Sequence, residues 1–145
     1  MHSLHIVHLT HINLYAIGVS ALILWFVGAL WYSPVLFAKP WMKALGIDPA
    51  SAKDGKKNGL ALGMISSLIG DLLLAFVLWH LVAWAGADSV GAGAFIGFLC
   101  WFGFFVAPNF PQGIYEGRPF RLFAINNGYW LVGLLVVGGL LAIWK

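Results

Sequence analysis

Four long stretches of this sequence carry almost no charge, and the basic residues lie between them. Of the eight Lys and Arg residues, seven fall in two short segments, 39–57 and 118–121, and the eighth is Lys145. Hydrophobic residues make up 61% of the 145 residues and charged residues only 9%, whereas about a quarter of the residues of a soluble domain are charged. A soluble core cannot account for this excess, so the pattern predicts an integral membrane protein.

The apolar stretches have the length of membrane-spanning helices, since about 20 apolar residues cross the hydrocarbon core of a bilayer. We therefore predict an all-α, polytopic membrane protein with a single transmembrane domain over residues 1–145. A proline pushes the residue before it out of helical geometry, so the first span is expected to end near Pro34 and the third near Pro108. The four predicted spans cover about 12–33, 60–84, 91–107 and 122–144.

The segment after the first span predicts a short helix that lies in the plane of the membrane interface. Lys39 and Lys43 are four residues apart, and apolar side chains accompany them between residues 35 and 45. Such an amphipathic pattern is typical of an interfacial helix. Gly46 is a plausible end for this helix.

The positions of the basic residues predict the orientation of the chain. With four spans, the loops that follow the first and third spans lie on the same side of the membrane, and seven basic residues fall there. The positive-inside rule makes that side cytoplasmic and both termini outward-facing. We expect these residues to contact anionic lipid headgroups, and we predict neither a nucleic-acid partner nor a cofactor.

Two blocks of the sequence carry a family resemblance. Residues 28–34 read GALWYSP, residues 116–120 read EGRPF, and the second of these blocks continues into INNGY at 125–129. In this order and spacing they resemble a bacterial family of small four-span membrane proteins catalogued as a domain of unknown function. The resemblance implies a four-helix fold in the bacterial inner membrane, and it implies no activity.

One acidic residue interrupts the second span. Asp71 lies about eleven residues into it, near the bilayer midplane at 1.5 Å of rise per residue. Acidic residues at this depth are costly and normally face a bundle interior or a cavity. Asn126 and Asn127 are candidate partners from the fourth span. Alternatively, a protonated or hydrogen-bonded Asp71 holds helices together through Ser66, Ser67 or a neighbouring side chain, while the two asparagines cap or pack their own helix.

A second candidate site lies at the basic side of the predicted bundle. Arginine binds phosphate with two parallel hydrogen bonds, and this chemistry points to an anion or a lipid headgroup. The more conservative interpretation is a local ion pair between Glu116 and an arginine. The candidate residues are Tyr115, Arg118, Arg121, Lys39 and Lys43.

Histidines suggest a metal site on the outward side. His8 and His11 belong to a series of histidines spaced three apart in the N-terminal tail, and His80 is predicted near the same surface. Imidazole is the commonest metal ligand among side chains. The alternative is a polar tail that binds no ligand.

These features leave three functions open. The first is permeation or transport of a small solute or ion that uses Asp71. The second is an accessory or scaffolding subunit of a larger membrane complex. A homo-oligomer is expected with the first function; small-residue faces such as Gly93 and Gly97 let helices approach closely, either within the chain or at a subunit interface. The third is a small membrane-embedded enzyme acting on a lipid-like substrate near Arg118. The sequence favours a non-enzyme, since no Ser or Cys has an evident base beside it.

Overall fold

The computed structural model describes residues 11–48 and 57–144, and these residues form five helices. The helices are α1 Leu14–Trp31, α2 Ala38–Leu45, α3 Lys57–Trp84, α4 Val90–Tyr115 and α5 Phe120–Ile143. All except α2 are long and apolar enough to cross a membrane. The predicted all-α fold, with four spans and a short helix after the first, is confirmed.

The helix ends follow local sequence signals. The Asn13 side chain accepts a hydrogen bond from the Ala16 N–H and so caps the start of α1. Helix α2 ends at Gly46, whose φ of 70° is left-handed, a conformation that glycine adopts without steric cost. The Ser89 side chain caps the start of α4 through the Ala92 N–H. Side-chain caps and a glycine therefore set these boundaries.

Helix α4 differs from the sequence prediction at its C-terminal end. It does not end near residue 107 but continues through Pro108 and Pro111 to Tyr115. Between its two α-helical segments, Val90–Cys100 and Ala107–Tyr115, it forms a π-helical stretch, Trp101–Val106. A proline conflicts with the carbonyl four residues earlier, and the wider π-helical turns, in which hydrogen bonds span five residues, bring the chain to Pro108 without breaking the helix.

Consecutive spanning helices run antiparallel, and α5 packs against all four other helices. The closest approach is between α4 and α5. A Cβ atom added at Gly93 would overlap the Gly138 carbonyl, and one added at Gly97 would overlap the Leu134 carbonyl. These glycines let the two backbones touch, as small residues do between transmembrane helices.

The bundle has two unlike halves. We call the end that contains Trp31, Tyr115 and Phe120 the basic end, and the end that contains Leu14, Trp84 and Ile143 the far end. Toward the far end the helices enclose a core of buried apolar side chains. Its members include Leu78, Val82, Val137, Leu141 and Ala142. Toward the basic end the helices separate around a cavity.

Candidate functional site

The cavity at the basic end has a volume of about 830 Å³, within the range of about 300–1,000 Å³ that is usual for ligand sites. All five helices contribute to its wall. Its rim includes the loop between α4 and α5, and the lining residue farthest along α3 from the basic end is Asp71. The polar side chains that line it are Ser67, Asp71, Asn109, Gln112, Glu116, Arg118, Asn126 and Asn127.

Asp71 lies at the deep end of this cavity. Its side chain is 3% exposed, and within residues 11–48 and 57–144 its carboxyl has no hydrogen-bond or ion-pair partner. Ser66 and Ser67 do not supply one, because both hydroxyls donate to the Gly63 carbonyl, at 2.9 and 2.8 Å. The residue is thus placed as an intramembrane acid that faces a cavity.

Asn126 and Asn127 line the same cavity, but both side chains are bound elsewhere. The Asn126 Oδ1 accepts a hydrogen bond from the Tyr32 hydroxyl at 2.7 Å. The Asn127 Nδ2 donates to the Phe123 carbonyl at 3.0 Å, and its Oδ1 accepts from Asn109 at 3.4 Å. The structure therefore brings the three predicted residues to one cavity without joining the asparagines to Asp71.

Aromatic side chains form much of the remaining wall, and the hydrogen-bonding groups of three of them, Tyr32, Tyr129 and Trp25, donate to protein acceptors. The Tyr129 hydroxyl donates to the Leu24 carbonyl at 2.9 Å, and the Trp25 Nε1 donates to the Met64 carbonyl at 3.2 Å. The Tyr32 ring lies edge-on to those of Tyr129 and Trp41, with centroid distances of 5.8 and 5.6 Å. These rings therefore offer the cavity their carbon surfaces rather than their hydrogen-bonding groups.

The two sequence blocks that carry the family resemblance pack against each other on this wall. The Trp31 Nε1 donates to the Ile125 carbonyl at 2.9 Å. A Cβ added at Gly28 would lie 3.1 Å from the Tyr129 hydroxyl, and one added at Gly128 would lie 3.1 Å from the Trp31 ring. Sequence reasoning missed the tyrosines as lining residues, although Tyr32 and Tyr129 both belong to these blocks.

The predicted cluster at the basic side is only partly assembled. Arg118 lines the cavity rim and forms an ion pair with Glu116, which also accepts a hydrogen bond from Gln112 at 2.8 Å. The ion pair agrees with the conservative interpretation of this segment. The other four candidates are exposed and do not line the cavity: Tyr115, Arg121, Lys39 and Lys43.

The histidines are not brought together in the part of the chain that the structure describes. The His80 Nδ1 lies 2.7 Å from the Phe76 carbonyl, and its ring packs against Phe76 and Trp79. His11 is exposed before α1, and His8 lies outside the described residues. Among those residues no three His, Cys, Asp or Glu side chains form a group that could hold a metal ion.

Comparisons with known proteins agree with the resemblance of the two blocks. No curated protein and no solved structure matches the chain. The family described as Protein of unknown function (DUF1761) matches residues 15–142. This range includes α2, α3 and α4 in full, all but one residue of α1 and of α5, and every residue that lines the cavity. The chain therefore belongs to the DUF1761 family and is a multi-pass membrane protein.

Proposed function

We propose that the protein transports a small solute, with the cavity as the site of entry and Asp71 as the group that binds it. The observation that carries the proposal is the buried Asp71, whose carboxyl lines the cavity and has no hydrogen-bond or ion-pair partner among the described residues. An unpaired charge is costly in a medium of low dielectric constant. A solute that offsets this cost would bind at Asp71, about halfway across the bundle.

The unequal halves of the bundle favour a carrier over an open pore. From the basic end the cavity reaches Asp71, whereas beyond it the interior is apolar, with Leu24, Leu78 and Leu134 buried in the core. A continuous pore would need a polar path through this apolar layer. A carrier instead opens its central site to one side of the membrane at a time, which is the arrangement that these contacts support.

The basic residues predict how the proposed carrier is oriented in the membrane. By the positive-inside rule, the end that bears Lys39, Lys43 and Arg121 faces the cytoplasm. These side chains are exposed, so they are free to contact anionic headgroups of a bacterial inner membrane. In this orientation the cavity opens to the cytoplasm.

The test is solute uptake by proteoliposomes that contain the purified chain. Four radiolabelled solutes serve as probes: choline carries a positive charge, acetate a negative charge, glycine one of each and glycerol none. We expect at least one to enter wild-type vesicles faster than protein-free vesicles, and Asp71→Asn to abolish this excess. Asp88→Asn is the matched control, because Asp88 is an exposed acid in the turn between α3 and α4, and it should transport as the wild type does. Equal uptake by wild-type, Asp71→Asn and protein-free vesicles would overturn the proposal.

A further inference from the structure

We infer that the solute is an organic cation, whose charged group lies between Asp71 and the aromatic rings of the cavity wall. The inference rests on the proposed function, because it names the class of solute that the same site binds. It is drawn from three features of the cavity wall. These are its charged side chains, the hydrogen bonds that the aromatic side chains already donate to protein acceptors, and the hydrogen bonds that the Asn126 and Asn127 oxygens already accept.

The charges that line the cavity leave one carboxylate unmatched. Among the described residues, three charged side chains contribute to the wall: Asp71, Glu116 and Arg118. Arg118 is paired with Glu116 at the rim, so the net charge that these three leave belongs to Asp71. A cationic solute would neutralise this carboxylate, which no described side chain does, and an anionic solute would be repelled by it.

The aromatic wall favours a cation with an organic surface. The hydroxyls of Tyr32 and Tyr129 and the Nε1 of Trp25 are all committed to protein acceptors. The rings of Trp41 and Trp130 also line the cavity. The faces of such rings attract ammonium groups, and most strongly where water is excluded. A cavity that is lined by an unpaired carboxyl and several aromatic rings is therefore suited to an alkylammonium group.

The same wall is poorly suited to an inorganic cation. Hard metal ions take several oxygen ligands at once, and Asp71 is the one carboxylate at the deep end of the described cavity. The side-chain oxygens of Asn126 and Asn127 already accept hydrogen bonds from Tyr32 and Asn109. Within the described ranges no three His, Cys, Asp or Glu side chains come together as a metal site.

The experiment measures equilibrium binding of radiolabelled benzyltrimethylammonium to the full chain in detergent. This probe carries a fixed positive charge, an aromatic ring and no N–H group, so its affinity reports charge and ring contacts alone. Two competitors separate these contributions: neopentylbenzene has the same shape without the charge, and benzenesulfonate carries a negative charge. We expect saturable binding that neither competitor displaces at concentrations at which unlabelled probe does.

Two pairs of variants locate the binding site. Asp71→Asn should weaken binding about tenfold or more, as expected for loss of a desolvated charge contact, and Asp88→Asn should leave it unchanged. Gly63→Leu should also weaken binding, because Gly63 lines the cavity and a Cβ there meets no atom within 4 Å. Gly70→Leu is its control on the same helix: its added Cβ also meets open space, but Gly70 does not line the cavity.

The outcomes distinguish this inference from the transport proposal. Displacement of the probe by neopentylbenzene, or unchanged binding in both Asp71→Asn and Gly63→Leu, would overturn the organic cation. Asp71-dependent uptake of acetate or glycerol but not choline would also overturn it, while leaving transport in place. Probe binding that requires Asp71, without uptake of any of the four solutes, would overturn transport and retain the cation as the occupant of the cavity.

Discussion

The two halves of the bundle are built from the same helices but differ in how closely these helices pack. In the far half, α4 and α5 touch backbone to backbone at Gly93 and Gly97, and apolar side chains fill the interior. In the basic half the helices stand around an open volume of about 830 Å³ that contains a carboxylate and several amides. Close packing is thus concentrated at one end and polar chemistry at the other.

The difference shows how such a small bundle can hold a cavity. Lipid tails are as apolar as leucine, so helices in a membrane are held by close packing and interhelical hydrogen bonds. The far half supplies the packing. The basic half compensates for its open volume with hydrogen bonds from tryptophan and tyrosine to backbone carbonyls of neighbouring helices, such as Trp31 to Ile125 and Tyr129 to Leu24. We expect substitutions in the two halves to differ accordingly.

The largest expected effect is that of Gly97→Leu in the far half. Even its Cβ would overlap the Leu134 carbonyl, so α4 and α5 must separate, and we expect a loss of about 3 kcal/mol or more in the free energy of unfolding, at the upper end of overpacking costs. Unfolding by SDS in mixed micelles measures it. Gly63→Leu, in the basic half, meets open space and should change stability little. A similar loss in both variants would erase the distinction between the halves.

A smaller loss is expected from Leu141→Ala, which opens a void in the far-end core. Leu141 is 2% exposed, and we expect a loss of about 2 kcal/mol in the free energy of unfolding, at the low end of the range for buried Leu→Ala changes. The loss is small because a leucine that leaves this core is surrounded by lipid rather than by water. Leu62→Ala is the control, since Leu62 is 69% exposed on α3. The same unfolding titration should show no significant change for it, and equal losses would contradict a packed far half.

A still smaller loss is expected when one hydrogen bond of the basic half is removed. Tyr129→Phe keeps the ring and removes the hydrogen bond to the Leu24 carbonyl, which should cost about 1 kcal/mol. Tyr15→Phe is the control, because Tyr15 is 83% exposed. Thermal unfolding in detergent should separate the two variants. If Tyr129→Phe were as stable as the control, the hydrogen bond would not contribute to holding α1 against α5.

The smallest effect, with the opposite sign, is expected at Ser20. This side chain is fully buried on α1, and its hydroxyl has no hydrogen-bond partner among the residues that the structure describes. Ser20→Ala removes an unsatisfied hydroxyl and should leave stability unchanged or raise it by up to about 1 kcal/mol. A clear loss in the unfolding titration would mean that the hydroxyl has a partner that stabilises the fold.

Particular residues show how far the sequence predicts this protein. Asp71 was identified as a candidate from its depth in an apolar stretch; it lines the cavity, and its role as a functional site stays a prediction. The end of α4 was not predicted, because the π-helical stretch that carries the chain to Pro108 depends on backbone geometry that no residue type marks. The basic candidates were grouped because they share one end of the bundle. Of these, only Arg118 lines the cavity, because the rotation of each helix decides which of its side chains face inward.

The sequence by itself determined the class of protein, the number of spans and the presence of an acid halfway along one of them, because bilayer thickness fixes the length of an apolar helix. Only the tertiary structure decided which side of each helix faces inward. The spanning helices are apolar on nearly every side, so no face is marked by its composition. Contacts such as Gly97 with Leu134 and Trp31 with Ile125 set the helix rotations, and these rotations direct Asp71 into the cavity.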